Sequence, residues 1–154
     1  MNHESISQIC FAQDFEVQEA QTAPAVFSGL PFGRPYAGQL AEVLSSAALL
    51  AELESICIGE LRPHVDWERH CVLGKGMHLE HCGAAQVGQR VEATGFVCSL
   101  GERSVHFHVE ARVGARTVAR ALLSFAVVDQ VWPQRQAVPA EQVPVAERYA
   151  ALCN

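Results

Sequence analysis

Residues 38–60 read GQLAEVLSSAALLAELESICIGE, and the spacing of their apolar side chains decides the fold. Leu40, Val43, Leu44, Ala47, Leu50, Ala51 and Ile58 recur at steps of three and four, the repeat of one face of a helix. The pattern predicts one long helix over residues 38–60. Glu54 falls on the same stripe, whereas Glu52, two residues earlier, projects about 200° around the axis among polar positions. An ionised carboxylate on an apolar face is costly unless paired or hydrogen-bonded. Glu54 is therefore either a rim residue with a snorkelling partner or a carboxylate that does chemistry at the wall of a water-filled site.

Beyond the helix the chain turns to Val, Phe and Thr broken by turn residues. Four strands are expected, at 71–79, 89–99, 104–113 and 116–128, with tight turns at Gly101-Glu102 and Gly114-Ala115. The third alternates: Val105, Phe107 and Val109 on one side, Ser104, His106, His108 and Glu110 on the other. The fourth is apolar on both faces near 122–128, which suits a central strand. Residues 9–17 suggest a further strand ahead of the helix. Residues 21–38 carry three prolines with Phe27, Phe32 and Tyr36, a loop with something to cover. The chain thus reads as one α+β domain over residues 1–130. Residues 131–154, with Pro133, Pro139 and Pro144, read as an appended tail, for which a short helix at 145–152 is an expectation.

Composition narrows the function. The 154 residues are 49% apolar and carry a net charge of −6, with 11 Lys and Arg in all and Lys75 the single lysine. That balance argues against a nucleic-acid surface but leaves room for a phosphorylated ligand, which needs only one or two Arg contacts. No apolar run is long enough to span a bilayer, so no membrane is expected as a partner. The start, MNHESISQIC, lacks the basic and apolar regions of a secretory signal. Cys10, Cys57, Cys71, Cys82, Cys98 and Cys153 show no CxxC pair or regular spacing. Free thiols and a cytoplasmic location follow as expectations. No metal site is expected: His78 and His81 point to opposite faces of a strand, and His106 and His108 lack a third ligand.

The element order is that of the hotdog fold, an antiparallel sheet wrapped around one long central helix, in which two copies make a dimer. Two segments sharpen the likeness. VLSSAALLAELESIC resembles the central helix of the fluoroacetyl-CoA thioesterase-like family of hotdog-fold acyl-CoA thioesterases, close to "VLxTPALIALMEEAA". Ser46 and Glu54 stand where that family has a hydroxyl residue and, eight positions on, a glutamate. HCGAAQVGQRVEATGFV resembles its "HLAATPVGxxVxAxAxL" stretch, with His81 at the histidine and Val87-Gly88 at the Val-Gly. The resemblance covers residues 10–130. Departures are Ser46 for Thr, Ala47 for Pro, Leu73-Gly74-Lys75 for Val-Gly-Thr, and no Gly-x-His-x-Arg near the last strand.

The resemblance implies hydrolysis of a small or medium acyl-CoA or acyl-carrier-protein thioester by a homodimer. Coenzyme A enters only as part of the substrate, and no other cofactor is expected. Glu54 suits a general base on water or a nucleophile that forms an anhydride, His81 a proton shuttle, Ser46 an orienting hydroxyl, and a helix N-terminus a seat for the thioester oxygen. Phe27, Phe32 and Tyr36 are candidates for a lid or acyl-pocket wall. On one straight helix Ser46 and Glu54 stand about 12 Å apart along the axis and about 80° around it. A water, the substrate or a partner subunit must then bridge them, or the helix starts later than residue 38. Two alternatives remain: a non-catalytic hotdog protein that binds an acyl thioester, and, less favoured, a hotdog dehydratase. The latter class commonly uses an Asp–His pair, and Asp14, Asp66 and Asp129 all lie off the helix.

Overall fold

The computed structural model describes residues 3–130. The expected tail, with its short helix at 145–152 and Cys153, lies outside the described residues. A short helix α1 (His3–Ser7) leads into strand β1 (Cys10–Glu16). Helix α2 (Ala23–Ser28) and a 3-10 turn (Arg34–Gln39) make up the loop region. The long helix α3 (Ser46–Leu61) follows, then β2 (His70–His81), β3 (Arg90–Leu100), β4 (Ser104–Val113) and β5 (Arg116–Asp129). The strands form one antiparallel sheet in the order β1-β3-β4-β5-β2. All five expected strands are present, and β5 lies inside the sheet as its apolar character foretold.

The inner face of the sheet carries the core. Along β4, Val105, Phe107, Val109 and Ala111 are buried, and β3 and β5 add Val91, Ala93, Ala121, Leu123 and Phe125. Phe107 meets Phe125 edge-on with ring centroids 5.9 Å apart, a favoured aromatic geometry. The helix α3 lays Leu49, Leu53, Cys57 and Leu61 onto this face, one residue every four.

Two expectations about the helix need correction. It begins at Ser46, not at residue 38. Ser45 is extended, and its side chain accepts from Ala48 N at 3.0 Å, a serine N-cap. The residues before it are kept out of the helix because Arg34–Gln39 form the 3-10 turn and the next backbone groups are taken up elsewhere: Ala23 N donates to Val43 O, Leu44 N to Ala85 O and Ser45 N to Gln21 O. The phase also differs. Ala47 and Ala51 are exposed, and Leu50, Glu54 and Ile58 are half-buried. The stripe read from the sequence is thus a second apolar face, only partly covered by the protomer, with Leu50 and Ile58 at the edge of the core and Glu54 against β2.

The five described cysteines are free thiols. Cys57 is fully buried, and its thiol is pushed up to about 12 by burial first and then by the nearby charges of Glu60 and Glu54. A thiol reagent at pH 8 should therefore label exposed Cys10, Cys82 and Cys98 in the native protein and spare Cys57. Unfolding without reductant should expose six reactive thiols, and a count of two or fewer would contradict the reduced state.

Candidate active site

Ser46 is the first residue of α3, and its position follows from the cap at Ser45. The amide groups of Ser46 and Ala47 lie ahead of the helix's own hydrogen-bond ladder, among the donors that a helix leaves without an intrahelical partner. His81 is the last residue of β2, paired with Ala119 of β5. The two come together: Ser46 Oγ and His81 Nδ1 are 2.8 Å apart. The other ring nitrogen, Nε2, is buried and has no hydrogen-bond partner among the described residues. Leaving such a group unpaired costs about 1–3 kcal/mol, a cost that structural histidines avoid.

Glu54 lies two turns further along α3. It makes no hydrogen bond or ion pair among the described residues. Its carboxylate lies against β2 at Gly74, where a Cβ would stand 2.7 Å from Glu54 Oε1 and 2.7 Å from Met77 Cε. A side chain at 74 would displace the Glu54 carboxylate and the Met77 methyl from their present positions. The strand is irregular there, with a bulge between Gly74 and Gly76. Within one protomer Ser46 and His81 are therefore joined, while Glu54 stands apart at another position on the same strand. Glu52 is engaged locally, accepting from Gln21 Nε2 at 2.6 Å.

Phe27, Phe32 and Tyr36 gather around one groove of about 530 Å³ together with Leu30, Pro31 and Leu40. Phe32 is 94% exposed and Tyr36 61%, so both stay largely uncovered among the described residues. Sequence reasoning missed a second groove, of about 740 Å³, bounded by Glu19, Thr22, Pro24, Glu42, Val43, Gln86 and Val87. These residues flank the segment that enters α3 and the loop after His81; no spacing rule links positions so far apart. His106 is held by Ser124 Oγ at 2.7 Å, and His108 packs on Phe96 with ring centroids 5.4 Å apart. The exposed His78 lies on the outer face. Arg90 pairs with Asp14 and Arg103 with Asp129.

The profile of the family described as "FlK: Fluoroacetyl-CoA-specific thioesterase" matches residues 32–131. No curated protein matches the chain significantly. Among solved structures, the fluoroacetyl-CoA thioesterase FlK aligns with a TM-score of 0.70 at 21% identity, over 78% of this chain and 85% of its own. A mutant of FlK in complex with fluoroacetate and CoA aligns with a TM-score of 0.71 at 20% identity, over 79% and 94%. A hot-dog-like protein from Thermanaerovibrio acidaminovorans aligns with a TM-score of 0.70 at 19% identity, over 84% and 90%. These likenesses show the hotdog fold.

Proposed function

The chain belongs to the fluoroacetyl-CoA-specific thioesterase family, and on that premise we propose that it hydrolyses a small or medium acyl thioester of coenzyme A or of an acyl-carrier protein at Ser46, His81 and Glu54. Water adds to the thioester carbonyl, the carbon–sulfur bond breaks, and free acid and thiol leave. Glu54 takes the proton from the attacking water, or attacks first to give an anhydride that water then opens. The amides of Ser46 and Ala47 receive the developing oxyanion. His81, held by Ser46, passes a proton to the departing sulfur. The 2.8 Å contact between Ser46 Oγ and His81 Nδ1 at the mouth of a helix N-terminus carries this reading. The aromatic groove of Phe27, Phe32 and Tyr36 is the proposed wall for acyl group or pantetheine.

Three observations support a homodimer whose sites lie at the two-fold interface. The second stripe of α3 leaves Ala47 and Ala51 exposed and Leu50 and Ile58 only half-buried against the protomer's core. β2 is a twelve-residue edge strand, paired on one side only among the described residues, an edge that proteins seldom leave open. Ser46 and Glu54, eight residues apart on one helix, stand about 12 Å apart along its axis. Antiparallel pairing of two β2 edges brings the Glu54–Gly74 end of one protomer toward the His81 end of the other. Sedimentation at micromolar concentration should give a dimer; a stable monomer would contradict it. The cytoplasm is the proposed location, and no helix among the described residues is long and apolar enough to cross a membrane.

Thiol release from acyl-CoA esters of increasing chain length tests the function, with Glu54→Gln as control. Hydrolysis of at least one short or medium ester by the wild type alone is expected. No release from any ester would overturn the reading.

A further inference from the structure

Arg116 opens β5 directly after the Gly114–Ala115 turn. Its Nη1 donates to the carbonyl oxygen of Ala84. The same nitrogen fills the space above Gly83, where a Cβ would stand 2.8 Å from Nη1 and 2.9 Å from Thr117 O. Arg116 has no carboxylate within ion-pair distance among the described residues, unlike Arg90, Arg103 and Arg112. Its side chain is thus committed to a loop backbone rather than to a surface ion pair.

That loop joins the two halves of the proposed site. It begins one residue after His81, where Cys82 N and Gly83 N both donate to Val118 O, at 2.7 and 3.1 Å. It ends at Ala85, fully buried, whose carbonyl accepts from Leu44 N at 2.8 Å, one residue ahead of the Ser45 cap. Residues 82–85 therefore form a short strut from the histidine to the start of α3. Three backbone hydrogen bonds fasten its two ends, and Arg116 adds a side-chain fastening at Ala84 between them.

We propose that Arg116 is a positioning residue, which sets the Ser46–His81 geometry by holding the Gly83–Ala84 strut. This rests on the thioesterase reading above. The hydrogen bond is exposed, so its loss changes stability little. Catalysis is more sensitive, since a misplacement of about 1 Å costs up to about 10²-fold in rate. A single arginine on the β4–β5 turn thereby couples the hairpin to the reaction without touching the reacting atoms.

The test compares Arg116→Ala, Arg116→Gln and Arg116→Lys with the wild type in melting, steady-state kinetics and NMR of the His81 ring. Arg116→Ala should melt like the wild type, lose on the order of 10-fold in kcat and keep KM within about twofold. Arg116→Lys, which still donates to a carbonyl, should recover most of the rate, and Arg116→Gln part of it. The His81 ring signals should shift in free Arg116→Ala and return in Arg116→Lys. The ring signals need no turnover, so a wild type inert toward every acyl-CoA sinks the thioesterase reading while the positioning claim is still tested. A raised KM with intact kcat would make Arg116 a substrate contact and overturn the proposal. So would wild-type kinetics with unshifted ring signals, or unfolding of both Arg116→Ala and Arg116→Gln, which would make the residue a structural prop.

Discussion

Glu54→Gln should lower acyl-CoA hydrolysis by on the order of 10²–10⁴ while leaving the protein folded, because it removes a general base and little else. The carboxylate has no hydrogen-bond or ion-pair partner among the described residues, so the amide breaks no internal contact. Its nearest constraint is spatial: Gly74 leaves room for the carboxylate, and a Gln side chain has the same shape. Steady-state rates alongside thermal melting check the expectation. Glu52→Gln is the matched control, since Glu52 accepts from Gln21 and a Gln there still accepts. That variant should hydrolyse like the wild type. A dead Glu52→Gln beside an active Glu54→Gln would place the site on the wrong side of the helix.

His81→Ala should cost a comparable 10²–10⁴, through loss of the proton shuttle to the leaving thiol. The fold should survive, because Nδ1 bonds only the exposed Ser46 hydroxyl and Nε2 bonds nothing among the described residues. Ser46→Ala should be milder, near the value of one neutral hydrogen bond, about 1 kcal/mol or roughly fivefold. A Ser46→Ala loss as deep as that of His81→Ala would make the hydroxyl a participant in the chemistry instead of a support.

What the sequence disclosed depended on periodicity. The alternation of β4 was legible because one face meets the core and the other does not, so Val105, Phe107 and Val109 could be assigned to one face from their spacing alone. The helix was harder, because α3 is apolar on two faces. The residues at 47, 50, 51 and 58 make as regular a stripe as Leu49, Leu53, Cys57 and Leu61, and only tertiary packing shows which stripe is fully buried. Its start was hidden by Leu40, Val43 and Leu44, apolar residues that extend the repeat while serving an irregular segment held by cross-loop hydrogen bonds. Ser45-Ser46 is a capping signal in hindsight, but either serine fits it. The contact of Ser46 with His81 spans 35 positions and has no local signature; the resemblance to a family, and nothing in the spacing, brought the two residues together. Arg116 escaped for a simpler reason: its acceptor is a backbone carbonyl, which no side-chain pattern announces.

The separation of Glu54 from the Ser46–His81 pair makes the sharing of each site between two protomers the central claim. Mixed dimers test it directly. One protomer carries Glu54→Gln, the other His81→Ala, each with its own affinity tag, and the heterodimer is purified through both. Each parent homodimer should be nearly inactive. In the heterodimer one site receives both lesions and the other receives neither, so about half of the wild-type rate should return. A heterodimer no more active than its parents would show that Glu54 and His81 act within one chain, and would contradict the shared site.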